Sequence, residues 1–169
     1  MALALADFNP ERVDSITLLH SHGYADNDQK KRDRLSAIKI VRHRPELLIN
    51  EMIPNLFAPV NLKKLSKEVT ALSDQANTLT REGVAASLGG MRLRPDRTTV
   101  IEKLGKPVQI ILGKLDPVMD YNVLKKQFKL KGVSDKVTLK KSGHMGFLEE
   151  PRETLYALEK FLESVFISA

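Results

Sequence analysis

Apolar positions fall along this chain in two textures. Over residues 1–22 and 94–169, short apolar runs of strand length alternate with segments of helical period, a pattern that predicts parallel α/β units. A small apolar helix, "MALALADF", stops at the Asn9-Pro10 break and leads into "RVDSITLLHSH", where Ile16, Leu18 and Leu19 suit a strand covered on both faces. "RPDRTTVIEKLG" reads as a helix with Pro95 near its start and Gly105 at its end, and "KPVQIILG" as a buried strand. Next come a helix in "DYNVLKKQFKL" with Tyr121, Leu124 and Phe128 on one face, a short strand in "KVTLKK", and a closing helix in "PRETLYALEKFLESVF". That last helix starts at Pro151 and carries Leu155, Leu158, Leu162 and Val165 as its apolar stripe.

Residues 23–93 differ. They hold no strand pattern and predict helices separated by breaks at Pro45, Pro54, Pro59, Gly83 and Gly89-Gly90. An all-helical excursion between two strands of a parallel sheet passes over one end of the sheet and predicts a lid or cap. The expected division is therefore an α/β core from 1–22 and 94–169, with about three parallel strands flanked by helices, and a helical cap from 23–93.

Composition narrows the classes. At 169 residues and 42% apolar content the chain can bury one good core. It has no cysteine, hence no disulfide and no thiolate chemistry, and no apolar run near the roughly 20 residues that span a bilayer. The first residues lack the basic region of a secretory leader, so a cytoplasmic protein without membrane contact is expected. A net charge of +6 raises the question of nucleic acid, since Lys30, Lys31, Arg32, Arg34, Lys39, Arg42 and Arg44 crowd into fifteen residues. That stretch has no aromatic side chain for base stacking, and Leu35, Ile38 and Val41 recur at helical spacing. It predicts an amphipathic helix with a solvated basic face and no nucleic-acid partner.

Ligands of an open parallel sheet bind beyond the carboxyl ends of its strands, which directs attention to the residues just after "VQIILG" and "VTLKK". These are Asp116, in "GKLDPVMD", and His144, in "KSGHMGFLEEP". Gly113 ends the first strand and Pro117 keeps Asp116 on a loop, while glycines on either side leave the His144 backbone open. A carboxylate and an imidazole on adjacent loops are what a general base and its orienting acid require. Asp120 is the alternative acid, although a carboxylate at a helix start also has a purely structural use.

"VQIILGKLDPVM" followed by "KKSGHMGFLEEPRETLYALEKFL" resembles the last third of the α/β-hydrolase fold family, in which a late acid and a Gly-His turn complete a catalytic triad. "ALALADFNPERVDSITLLHSH" is similar to that family's helix after the nucleophile and the strand that follows it. "GYADNDQKKRDR" and "PNLFAP" resemble the cap of its small members. The resemblance implies that His144 activates a nucleophile, that Asp116 orients His144, and that Ser21, His22 and Met145 contact substrate, with loop capping the open alternative for Ser21 and His22. It implies hydrolysis of carboxylic esters or related small molecules, with no cofactor and no metal.

The family places its nucleophile in G-x-S-x-G at a strand-to-helix turn, and no such pentapeptide occurs here. Ser15, Ser21, Ser87 and Ser142 lie outside any elbow. The resemblance implies a carboxyl-terminal half that begins where the elbow has just ended, with on the order of 90 residues lying elsewhere. Alone, such a half is expected to be inactive and to associate with a second copy through its first strand, whose residues 15–20 lack lysine, proline or a bulge to protect an edge. A non-catalytic half-fold that binds a partner is the alternative.

Overall fold

The computed structural model describes residues 1–167. In chain order its first elements are α1 (Ala2–Phe8), β1 (Ile16–Leu19), α2 (Asp28–His43), α3 (Pro45–Met52), α4 (Ser66–Asn77) and α5 (Arg81–Leu93). The rest are α6 (Thr98–Lys103), β2 (Val108–Gly113), α7 (Tyr121–Leu124), β3 (Val133–Leu139), α8 (Gly146–Glu149) and α9 (Pro151–Phe166). They divide into two compact units, one holding the sheet with residues 1–23, 56–61 and those from 97 onward, the other holding residues 24–55 and 62–96.

In the sheet unit the three strands are all parallel and ordered β1-β2-β3. Every residue of β2 is buried, as an apolar central strand covered on both faces must be. Gln109 is the polar exception in that run, and the register explains it. Thr17, Gln109 and Asp135 are cross-strand neighbours. The Gln109 amide accepts from Thr17 Oγ1 (2.9 Å) and donates to Asp135 Oδ2 (2.6 Å) and to the Ala157 carbonyl of α9 (2.9 Å), so its polar atoms are paired and a slip of one residue would orphan them. Among the described residues β1 pairs with β2 alone, which leaves its other edge open.

Three details depart from the sequence pattern. The helix expected over "DYNVLKKQFKL" is α-helical only as far as Leu124 and continues as a 3-10 turn over Lys125–Lys129. That tightening turns Gln127 inward, where its side-chain oxygen accepts from the Gly23 amide (2.8 Å), and leaves Phe128 half-buried. In α9 the buried positions are Thr154, Ala157 and Phe161, whereas Leu155 and Leu162 are exposed, because the helix meets the sheet about one residue out of phase with the leucine repeat. Gly83 and Gly89-Gly90 do not break the chain: α5 runs through all three. Thr80 caps it by accepting from the Gly83 amide, and a Cβ at Gly89 or Gly90 would meet nothing within 4 Å, so these glycines weaken the helix without ending it.

The second unit is helical throughout. Val41, Leu48 and Leu88, from α2, α3 and α5, form its core, with Ala37, Ile38, Val84 and Ala85 packed around them. Asn27 caps α2 by accepting from the Lys30 amide (2.8 Å). Buried Asp26 is held by Arg34 and by Arg94 (2.8 Å), so one arginine of the basic run serves an internal ion pair. Lys30, Arg32, Lys39, Arg42 and Arg44 are exposed, as a solvated face requires, but Leu35 is exposed with them. No described helix is long and apolar enough to cross a membrane.

Candidate active site

Two loops leave the carboxyl ends of β2 and β3 and are stitched together at their roots. The Lys114 amide donates to the Leu139 carbonyl (2.8 Å) and the Leu115 amide to the Ser142 carbonyl (2.9 Å). Gly113 makes that approach sterically feasible. A Cβ there would stand 2.0 Å from the Gly143 carbonyl oxygen and 2.7 Å from that of Ser142. Just beyond, Asp116 folds back on its own loop, Oδ1 accepting from the amides of Val118 (2.8 Å) and Met119 (2.9 Å). These bonds fix the carboxylate and leave Oδ2 to face His144 Nδ1 at 2.8 Å.

The histidine loop is shaped by a buried carboxylate. Glu149 Oε1 accepts from the amides of Gly143 (2.8 Å) and Met145 (3.2 Å), which flank His144, and Oε2 accepts from the Ala58 amide (2.8 Å) and Asn61 Nδ2 (2.7 Å). Glu150 adds bonds to the Lys141 amide and Ser142 Oγ, each 2.7 Å. The His144 amide donates to the Leu56 carbonyl (2.7 Å), and a Cβ on Gly143 would meet the Ala58 nitrogen at 2.4 Å. The acidic turn "EEP" thus works as an internal template for the loop.

A second histidine joins the pair. His20, the residue after β1, is buried, and its Nδ1 lies 4.0 Å from Asp116 Oδ2. Burial, reinforced by the nearby His144 ring and opposed by Asp116, pushes the His20 pKa down to about 4, so it is neutral at pH 7 and the 4.0 Å approach is not an ion pair. Burial alone would raise the Asp116 pKa. The His144 hydrogen bond and charge, with the Met119 and Val118 amides, outweigh it and hold the carboxyl below its usual range. Asp116 is therefore ionised, and its bond to His144 takes the Nδ1–H tautomer, which leaves the Nε2 lone pair outward.

His20, Asp116 and His144 bring three donor atoms within 4.8 Å of one another, a spacing that prompts the question of a metal. The His20 tautomer argues against it: Nε2 accepts from the Gly146 amide (3.1 Å), which puts the proton on Nδ1, the atom facing the cluster. An N–H facing the cluster suits a hydrogen-bond network, whereas a cation needs a lone pair.

Because the folded state resists protonating His20 and the unfolded chain does not, stability is complete above about pH 6.5 and is lost as the pH falls toward 4. The loss assigned to this residue is about 3 kcal/mol. Protonation of Asp116 extends it at lower pH. Urea unfolding at pH 7 and pH 4 should show the parent losing about 3 kcal/mol more than a His20→Asn variant; equal losses would mean that His20 titrates normally in the fold.

No protein-family model matches the sequence, and no curated protein does. Solved structures do. An esterase from Thermogutta terrifontis superposes with a TM-score of 0.89 at 24% identity, over 97% of this chain and 61% of that one. An esterase from Exiguobacterium antarcticum gives 0.80 at 17% identity, over 96% and 62%, and an enol-lactonase from Burkholderia xenovorans LB400 gives 0.82 at 16%, over 95% and 60%. The chain carries part of the α/β-hydrolase fold. It spans about three fifths of the length of these neighbours.

Within the hydrolase fold, Asp116 and His144 stand on neighbouring loops in direct hydrogen bond. Asp120 caps α7 by accepting from the amides of Asn122 (2.7 Å) and Val123 (3.3 Å), the structural use of a carboxylate at a helix start. Ser21 and His22 follow β1 and are half-buried, and Met145 is buried with its amide on Glu149. Two residues of this cluster escaped sequence reasoning. His20 lies inside "LLHSH", one position before the pair expected to line a pocket, and the end of the apolar run was the signal for it. Glu149 had no local signal, since its four donors come from residues as far away as Ala58.

Proposed function

We propose that this chain is the acid- and histidine-bearing part of an α/β-fold hydrolase that cleaves carboxylic esters or related small molecules, such as lactones, by a Ser-His-Asp mechanism, with the serine supplied by a segment outside these 169 residues. The observation that carries the reading is the 2.8 Å bond between His144 Nδ1 and Asp116 Oδ2 at the carboxyl edge of the sheet. An esterase and an enol-lactonase among the solved structures of the same fold support the substrate class. His144 Nε2 takes the serine proton as the oxygen attacks the ester carbon. Asp116 stabilises the resulting imidazolium, and the proton then passes to the leaving alcohol. Water repeats the cycle on the acyl-enzyme.

A base without its nucleophile and oxyanion donors has lost the groups that supply most of the rate. The 169-residue chain should therefore hydrolyse p-nitrophenyl butyrate no faster than its His144→Ala variant. Turnover well above that variant would place a working nucleophile inside this chain and overturn the assignment.

A further inference from the structure

His20 stands on a third segment and reaches both loops of the pair. Its backbone amide is tied to the Ile111 carbonyl of β2 (2.9 Å), its Nε2 accepts from the Gly146 amide just after His144, and its Nδ1 is 4.0 Å from the Asp116 oxygen that His144 engages. We propose that His20 is a positioning residue for the Asp116–His144 pair: the Gly146 amide fixes its ring as the Nδ1–H tautomer, and that N–H is aimed at Asp116 Oδ2 as a second donor beside His144. The inference rests on reading the pair as the acid and base of a hydrolase.

Three observations carry it. His20 has φ +43°, and it is the one non-glycine residue with positive φ among those described. A histidine held in that strained region, where asparagine or glycine would sit more cheaply, points to a requirement for the ring. Its Nδ1 is a buried polar atom without a hydrogen-bond partner, a condition that calls for a reason. Closure by about 1 Å brings it to normal N–H···O length on Asp116. Finally, the ring and the histidine loop are fitted to each other, since a Cβ on Gly146 would lie 2.3 Å from His20 Nε2.

The consequence is mechanistic. A donor on the second lone pair of Oδ2 keeps the carboxylate ionised and pointed at His144 while that ring gains and loses its proton. Being neutral, His20 does this without setting a second cation beside the imidazolium; its ring centroid is 5.7 Å from that of His144.

The test uses the 169-residue chain with 15N-labelled histidine and two substitutions that both tolerate positive φ, His20→Asn and His20→Gly. The asparagine amide nitrogen falls near the place of Nδ1 and keeps a donor, whereas glycine removes it. Long-range 1H-15N correlations should show parental His20 protonated on Nδ1 and bare on Nε2. The downfield Hδ1 resonance of His144, identified by its loss in Asp116→Asn, should persist in His20→Asn and broaden beyond detection in His20→Gly. An unchanged resonance in a folded glycine variant overturns the proposal, and so does a His20 carrying its proton on Nε2, which needs no substitution to observe. A parent chain with no Asp116-dependent Hδ1 resonance would instead refute the pair itself, and the proposal with it.

Discussion

An alanine at position 113 should destabilise the sheet unit by about 3 kcal/mol or more, at the upper end for overpacking a buried site, and should separate Asp116 from His144. The methyl group would lie 2.0 Å from the Gly143 carbonyl oxygen and 2.7 Å from that of Ser142. Neither oxygen is the far end of a flexible side chain. Both belong to a loop whose amides are held by Glu149 and Glu150 and whose Ser142 carbonyl bonds the Leu115 amide, so relief requires the two loops to part. Gly89→Ala supplies the opposite case within the same chain. There a Cβ meets nothing within 4 Å in the middle of α5, and the change should add about 0.5–1 kcal/mol. Urea unfolding of both variants checks the pair of signs through the shift in midpoint at constant m-value. A loss below about 1 kcal/mol at Gly113 would mean that the loops yield and are not the rigid frame described.

The contrast between these glycines shows what the sequence could reveal. Apolar runs and periodicity, with their Pro and Gly breaks, placed α1, the basic helix α2, the buried strand β2 and the closing helix. The position of Asp116 and His144 after successive strands placed both at one sheet edge, because that inference needs only chain order and the rule for ligand ends of parallel sheets. Local pattern failed where long-range packing decides. Gly89-Gly90 looks like a break, yet the helix passes through it because open space on that side leaves nothing to disrupt. The leucines of α9 look like its buried stripe, but the sheet selects the face of Thr154, Ala157 and Phe161. Glu149 reads as part of an acidic turn, and its role emerges only when Ala58 and Asn61 arrive from 91 and 88 residues earlier in the chain. His20 hides in the same way: an apolar run shows where a strand ends but not that the next side chain turns back into the site.

The largest functional effect is expected at Asp116. Asparagine keeps the shape of the side chain but removes the charge that stabilises a His144 imidazolium, and its amide can turn an N–H toward Nδ1, which selects the wrong imidazole tautomer. The amides of Val118 and Met119 still have an oxygen to bond, so the loop should hold. The most direct measurement is therefore p-nitrophenyl butyrate turnover by this chain completed with an amino-terminal segment that bears the nucleophile and the oxyanion donors, with and without Asp116→Asn. The substitution should lower kcat about 10⁴-fold with KM little changed. Equal turnover by the two proteins would contradict this expectation, because Asp116 would then have no part in the chemistry of His144.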